Sequence, residues 1–345
     1  MSYSIQKLKS EDINNLIQFN KRIYPQRKNL KHRFLWYFIR NPLIKEEKEL
    51  NSLLCYSKDK NIIGQILINP IEWFYNKKFE GYYGVDYFVL EEFQGITGAM
   101  LALKAFKEHK PYFGFSPTPE ALKIHLELKV IVIGKMEKFI WFRNPTAPLK
   151  FLTNELIKKV RIKKNSFLLK NVTFPAIVST NKFKFILKNK INDWNDNQWE
   201  NTLIFSRSKE YIKWRFFDSY RKYYFYKMDE TQTSAYFVVR KCYWKGLIML
   251  VIVDYRVPYL DIQSWESIIL ASKLLAKQIN CEGVITMSSH HFFDKELRNN
   301  KFYKIGKEAF IVSNADIEVS NEDIQKKNFI YATMADYDVD LDLEN

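Results

Sequence analysis

The chain has 345 residues, 54 Lys and Arg against 39 Asp and Glu, a net charge of +15 and 47% hydrophobic residues. This is long enough for two domains with real cores, and no run approaches the roughly 20 consecutive apolar residues that would make a membrane-spanning helix. The amino terminus has no apolar stretch of a secretory signal, so a cytoplasmic location is expected, and Cys55, Cys242 and Cys281 fit neither a disulfide framework nor a zinc site and are expected as reduced, buried thiols.

The charge is uneven. From Asp316 onward there are nine acids against two lysines, so the remainder is strongly basic. Such a field attracts polyanions, nucleotide-linked substrates or an anionic membrane surface without choosing among them, and general enrichment in Lys, Asn, Ile and Phe is the alternative explanation. The acidic tail reads as disordered or a loose strand.

In chain order, Tyr3 to Leu8 alternates like a strand, and Ser10 with Glu11 and Asp12 opens a helix. His32 to Arg40 is an aromatic helix ending before Pro42. Leu53 to Ser57 and Ile62 to Ile68 form strands about a turn. Val85 to Leu90 is an apolar strand leading through Glu91 and Glu92 into the small-residue turn Gln94 to Ala99, inside which a helix to His109 begins. Such a corner aims free N–H groups and the positive end of a helix dipole at one point, as a phosphate cradle would; a tight connection is the other reading. A helix from Glu120 to Leu128 and a strand from Val130 follow, an α/β order.

On these residues the first 140 or so positions resemble the acetyl-coenzyme A binding core of the GCN5-related N-acetyltransferase superfamily. Gln94, Thr97 and Ala99 fall on its cradle positions, with Thr97 where glycine is usual. The segment Gly114-Phe-Ser-Pro and the run Ile124 to Val130 resemble the family's second half, with His125 at the position of its tyrosine and Lys129 at that of its glycine. The resemblance implies an acyl-CoA co-substrate held by backbone at Phe88, Val89 and Leu90 and by Gln94, Gly95, Ile96, Thr97, Gly98 and Ala99.

Between Pro145 and Asn201 the pattern loosens into an expected connector, residues 146–200. A second organised unit is expected over 201–315, after a first over 1–145, with a tail over 316–345. It contains a helix capped by Ser208, strands at Tyr223, Ala235 to Arg240 and Gly246 to Asp254, a helix from Trp265 to Gln278 and a strand from Gly283. Its order repeats the first, pairing Val85 to Leu90 with Leu247 to Val253. The glycine turn is missing, so it resembles a degenerate copy. The expected fold class is α/β, with mixed sheets in two tandem acyltransferase-like domains. Tandem chains with a Trp214-Arg215 helix and a Val253-Asp254 strand end resemble a group found among bacterial surface-polysaccharide biosynthesis genes.

Acyl transfer to an amine needs a base, an oxyanion stabiliser and a proton for the leaving thiolate. Asp86 and Glu92 are the candidate bases, with a structural strand acid and a solvated turn carboxylate as alternatives. The resemblance gives His125 the proton-donor role, against an ordinary exposed helix histidine. Arg215, Asp254 and His290 are candidate substrate contacts, with structural ion pairing an equal reading for the first two. No metal is expected, because His290, His291 and Asp294 lack ligand spacing. The expected function is N-acyl transfer from acetyl-CoA or a related acyl-CoA to an amine, for example an amino-sugar nucleotide. The alternatives are a peptidoglycan-type aminoacyl-transferase drawing on aminoacyl-tRNA, or a non-catalytic copy of the fold that binds an anion or partner. No nucleic-acid-binding motif is present.

Overall fold

A computed structural model describes residues 3–44, 50–156, 172–192, 194, 196, 198–229, 235–314, 324 and 328–336. Most of the acidic tail lies outside the described residues. The first elements are β1 (Tyr3–Lys7), α1 (Ile13–Ile23), α2 (Leu30–Phe34), β2 (Leu53–Ser57), β3 (Ile62–Tyr75), β4 (Lys77–Val89), α3 (Ile96–Glu108), β5 (Tyr112–Phe115), α4 (Pro119–Glu127) and β6 (Ile131–Phe142). Next come α5 (Thr146–Leu156), β7 (Ile177–Ser179), β8 (Lys184–Lys188), β9 (Leu203–Phe205), α6 (Lys209–Ile212), β10 (Tyr224–Met228), β11 (Tyr236–Trp244) and β12 (Leu247–Arg256). The chain ends with α7 (Ile262–Gln278), β13 (Gly283–Ser288), α8 (His291–Asn299), β14 (Tyr303–Ser313) and β15 (Ile330–Tyr331).

Two compact units result, the described residues of 1–135 with those of 309–329, and the described residues of 136–308 with those of 330–345. In the first, the antiparallel run β1-β2-β3-β4 is joined by β5, parallel to β4 through Tyr82–Gly84 against Tyr112–Gly114. In the second, β8-β10-β11-β12 is antiparallel and β13 lies parallel to β12. The strand pairing in each unit is therefore mixed.

The units divide elsewhere than local pattern implies, because each half of the sequence lends a strand segment to the unit built mainly from the other. β6 leaves the first unit after Lys135, and its later residues pair antiparallel with β13, Phe142 opposite Gly283. The last part of β14 returns to β5, Ile311 opposite Phe115. The expected boundaries at 145 and 315 thus fall after both exchanges. Part of the expected connector is likewise sheet, since β7 and β8 extend the second unit.

Packing follows from the sequence. α3 presents Leu101, Ala102, Ala105 and Phe106 to Ile66, Ile68, Val89 and Tyr112; its alanines let the helix lie close to the sheet. α7 presents Trp265, Ile268 and Ile269 to Leu250, Ile252 and Val284. The aromatic helix expected from His32 to Arg40 instead widens after Phe34: Arg40 N–H reaches back five residues to the Leu35 carbonyl at 3.0 Å. The second unit has the same wide turn, Asp218 to Lys213 at 2.8 Å, after a helix capped by Ser208 as its sequence predicts.

Candidate active site

β4 and β5 diverge beyond Gly84 and Gly114, and a bulge deforms β4 there: Val85 lies opposite Leu67 but Phe88 opposite Gln65. The bulge turns Asp86 to φ 49°, left-handed backbone that aspartate tolerates better than most residues. Beyond it, the Leu90 N–H bonds the Ile63 carbonyl at 2.9 Å, so Phe88 and Leu90 turn their peptide groups to β3. Of the three residues expected to meet a cofactor by backbone, Val89 faces the open edge, where Gln94 Nε2 takes its carbonyl at 3.4 Å.

The α3 corner is open. Gly95 precedes the helix at φ 85°, ψ −117°, a conformation that side chains strain to adopt. The first helical bond is Ala99 N–H to the Gly95 carbonyl, 3.0 Å, and among the described residues no side chain caps the helix. Its leading N–H groups and positive dipole end therefore carry no internal counter-charge. Ile96 is 77% exposed and Thr97 is buried, turning its side chain away from solvent. Gly98 is fixed by close approach, since a Cβ there would stand 2.9 Å from the Tyr87 hydroxyl.

The second unit settles the comparison between halves. Val253, Asp254 and Tyr255 on β12 repeat Val85, Asp86 and Tyr87 on β4, and both strands bulge at this point. This pairing replaces the expected one with Leu247 to Val253. At the following helix the halves part: Asp261 caps α7, accepting from Gln263 N at 3.0 Å and Ser264 N at 3.1 Å. A carboxylate thus occupies in α7 the position that α3 leaves to solvent. Tyr255 also donates its hydroxyl to the Met287 carbonyl at 3.1 Å, whereas the Tyr87 hydroxyl has no hydrogen bond among the described residues.

The expected catalytic residues are placed differently from their assigned roles. Asp86 is an ion-pair anchor, its carboxylate receiving Arg27 Nη1 at 2.7 Å and Arg33 Nη2 at 3.4 Å with its side chain 5% exposed. Each of its two oxygens faces a guanidinium, the geometry of a structural ion pair. Gln65, itself held by Asn20, donates to the Asp86 carbonyl at 3.1 Å and fixes the bulge.

His125 is buried among Phe106, Tyr112 and Tyr87, with neither ring nitrogen hydrogen-bonded. Burial pushes its pKa down to about 4, so it stands as neutral imidazole and supplies no imidazolium. Burial likewise raises the Tyr87 phenol to about 12. Glu92 sits on an exposed single turn, Glu91–Phe93.

Arg215, Asp254 and His290 are interior groups of the second unit. Asp254 is held bidentately by Arg207 at 2.9 and 3.0 Å and accepts from Tyr236 and Thr333. Arg207 also reaches Asp336 at 2.6 Å. Arg215 bonds the Tyr223 hydroxyl at 2.9 Å, and His290 caps α8 by accepting from Phe292 N at 3.2 Å. The guanidinium partners and Tyr87 were missed from sequence, although the repeated Val-Asp-Tyr carried the signal for the last. The three thiols are buried, with Cys55 raised to about 11 and Cys281 to about 12, mainly by burial.

No family model matches the chain, and no curated protein matches it in sequence. Solved structures do match. Saccharomyces cerevisiae N-myristoyltransferase with bound myristoyl-CoA is 11% identical over 90% of this chain and 80% of its own, at a TM-score of 0.56. A GCN5-related N-acetyltransferase from Anabaena variabilis is 10% identical over 90% and 72%, also at 0.56. One from Kribbella flavida is 8% identical over 90% and 70%, at 0.50. At these identities the likeness is one of fold: the chain has the mixed α/β fold of the GCN5-related acyltransferases.

Proposed function

We propose that this chain transfers an acyl group from an acyl-CoA to an amine, with the thioester substrate held by the first unit. The observation that carries the reading is the uncapped amino terminus of α3 beside the β4–β5 fork, set against its counterpart in α7, which its own aspartate fills. Backbone N–H groups of Ile96, Thr97 and Gly98 would receive the pyrophosphate, Gly95 gives the approach, and Val89 offers the open strand edge to the pantetheine amides. The fold neighbours support this, one of them having been crystallised with myristoyl-CoA.

The CoA thioester supplies an activated carbonyl. The protein's own part is positioning: Asp86, through Arg27 and Arg33, holds the bulge that opens the fork, and Tyr87 brings a hydroxyl donor to it. Glu92 is the exposed carboxylate available to take a proton from an incoming amine. The acetyl group as cargo, a nucleotide-linked amino sugar as acceptor and a place in surface-polysaccharide synthesis are the finer form of this reading. A basic chain suits a diphosphate-bearing acceptor.

A second reading, an anion-binding protein without turnover, draws on the sequestered states of Asp86 and His125. Thermal melting with CoA tests binding: at 100 times its dissociation constant a ligand adds about 2.7 kcal/mol, a shift of several degrees. No shift with CoA or acetyl-CoA would overturn the assignment of the α3 corner. A shift without CoA release in the presence of amines would favour the second reading.

A further inference from the structure

One end of the second unit's sheet gathers cations. The β11–β12 turn, the start of β13 and the end of β6 meet there, since Trp244 pairs Leu247, Met249 pairs Gly283 and Gly283 pairs Phe142. Lys245 at the turn lies 5.0 Å from the Trp244 ring and 5.2 Å from the Phe151 ring of α5, with Lys138 at 5.9 Å on Trp244. Arg143 reaches the α7 terminus, bonding the Lys277 carbonyl at 3.3 Å. Among the described residues at this end, Glu282 is engaged by Lys150 at 2.9 Å and by the Ile248 N–H at 3.0 Å.

These lysines feel one another. Lys138 is lowered by burial and then by Lys245, and Lys273 is pushed down to about 8 by burial and then by Lys301 and Lys277. An arriving anion relieves such repulsion. Beside the cations, α5 holds Leu149 64% exposed.

We propose that this end of the second unit docks on an anionic lipid bilayer, the lysines over headgroup phosphates and Leu149 at the acyl boundary. Two observations favour a bilayer over a nucleic acid. The Trp244 ring is 8% exposed and lies beneath cations, closed to base stacking. An exposed aliphatic side chain gains from a hydrocarbon boundary and nothing from a phosphate backbone. No helix among the described residues is long and apolar enough to cross a membrane, so the contact is peripheral.

Flotation of the full chain with vesicles of phosphatidylcholine, alone or mixed with phosphatidylglycerol, tests this. Binding is expected to the mixed vesicles alone and to fade as salt shortens the screening length. Each neutralised cation lowers partitioning about fivefold. The exposed pair Lys245→Gln with Lys277→Gln should therefore lose about 25-fold, and Leu149→Ser should weaken it further. Lys31→Gln with Lys58→Gln, exposed in the first unit, changes net charge equally and should retain binding. No flotation at low salt, equal loss in the two pairs, or binding of duplex RNA without binding of vesicles overturns the proposal.

Discussion

Replacing His125 offers a quantitative check on how the fork is built. The imidazole is 3% exposed, without a hydrogen bond among the described residues, and its pKa falls from 6.5 to about 4 on folding because burial disfavours the cation. A folded-state pKa below the unfolded one means that the unfolded chain binds the extra proton first. The histidine's contribution is therefore whole above pH 6.5 and is lost as pH falls towards 4. At about 1.36 kcal/mol per unit, that loss is about 3 kcal/mol. The counterpart position in the repeat is a fully buried leucine: His125 lies seven residues after the Thr118 cap of α4, and Leu297 seven after the His290 cap of α8. His125→Leu should thus be at least as stable as the parent at neutral pH, because it removes two unpaired buried nitrogens. Urea unfolding of both proteins across this range, read as a difference so that shared carboxylates cancel, should show the parent alone losing the extra stability. Parallel curves would refute the buried neutral imidazole.

Two ion pairs give further expectations. Asp336→Ala removes a carboxylate 2.6 Å from the fully buried Arg207, and should cost the second unit about 3–5 kcal/mol by chemical denaturation. Asp86→Asn keeps a residue that tolerates φ 49° but strips the charge facing Arg27 and Arg33; it should lower stability by about 3 kcal/mol in urea unfolding while CoA affinity is retained. Unchanged stability would return Asp86 to the role of a free base.

Much of the fold was legible because it is local. The β4–turn–α3 corner, the Ser208 cap and the order of strands and helices follow from period, caps and breakers over a few residues. The strand exchange was not, since β6 and β14 look alike whichever sheet receives them and only long-range register decides. The repeat was found in order but misaligned, because the long buried run Leu247 to Val253 reads as a complete strand, while the shared Val-Asp-Tyr sits at its end. The site residues were legible as types and not as states. Arg27 and Arg33 stand 59 and 53 residues from Asp86, and Arg207 stands 47 from Asp254, so no spacing announces that these acids are already neutralised. Neither reading of His125, proton donor or exposed helix histidine, anticipates its burial, because a helix of mixed character does not declare which face meets Phe106 and Tyr112.

The central claim is that α3 leaves its amino terminus to a ligand's phosphates where α7 fills its own. Ile96→Asp tests it most directly, because it places at the exposed first position of α3 a carboxylate like the one Asp261 supplies to α7. An acid in the first turn favours the helix, so the fold should be preserved or slightly stabilised. Calorimetric titration with CoA should then show binding by the parent and a loss of tenfold or more in the variant, with pantetheine lacking phosphate affected little. Equal CoA affinity in the two proteins, with the variant's melting temperature intact, would contradict the account.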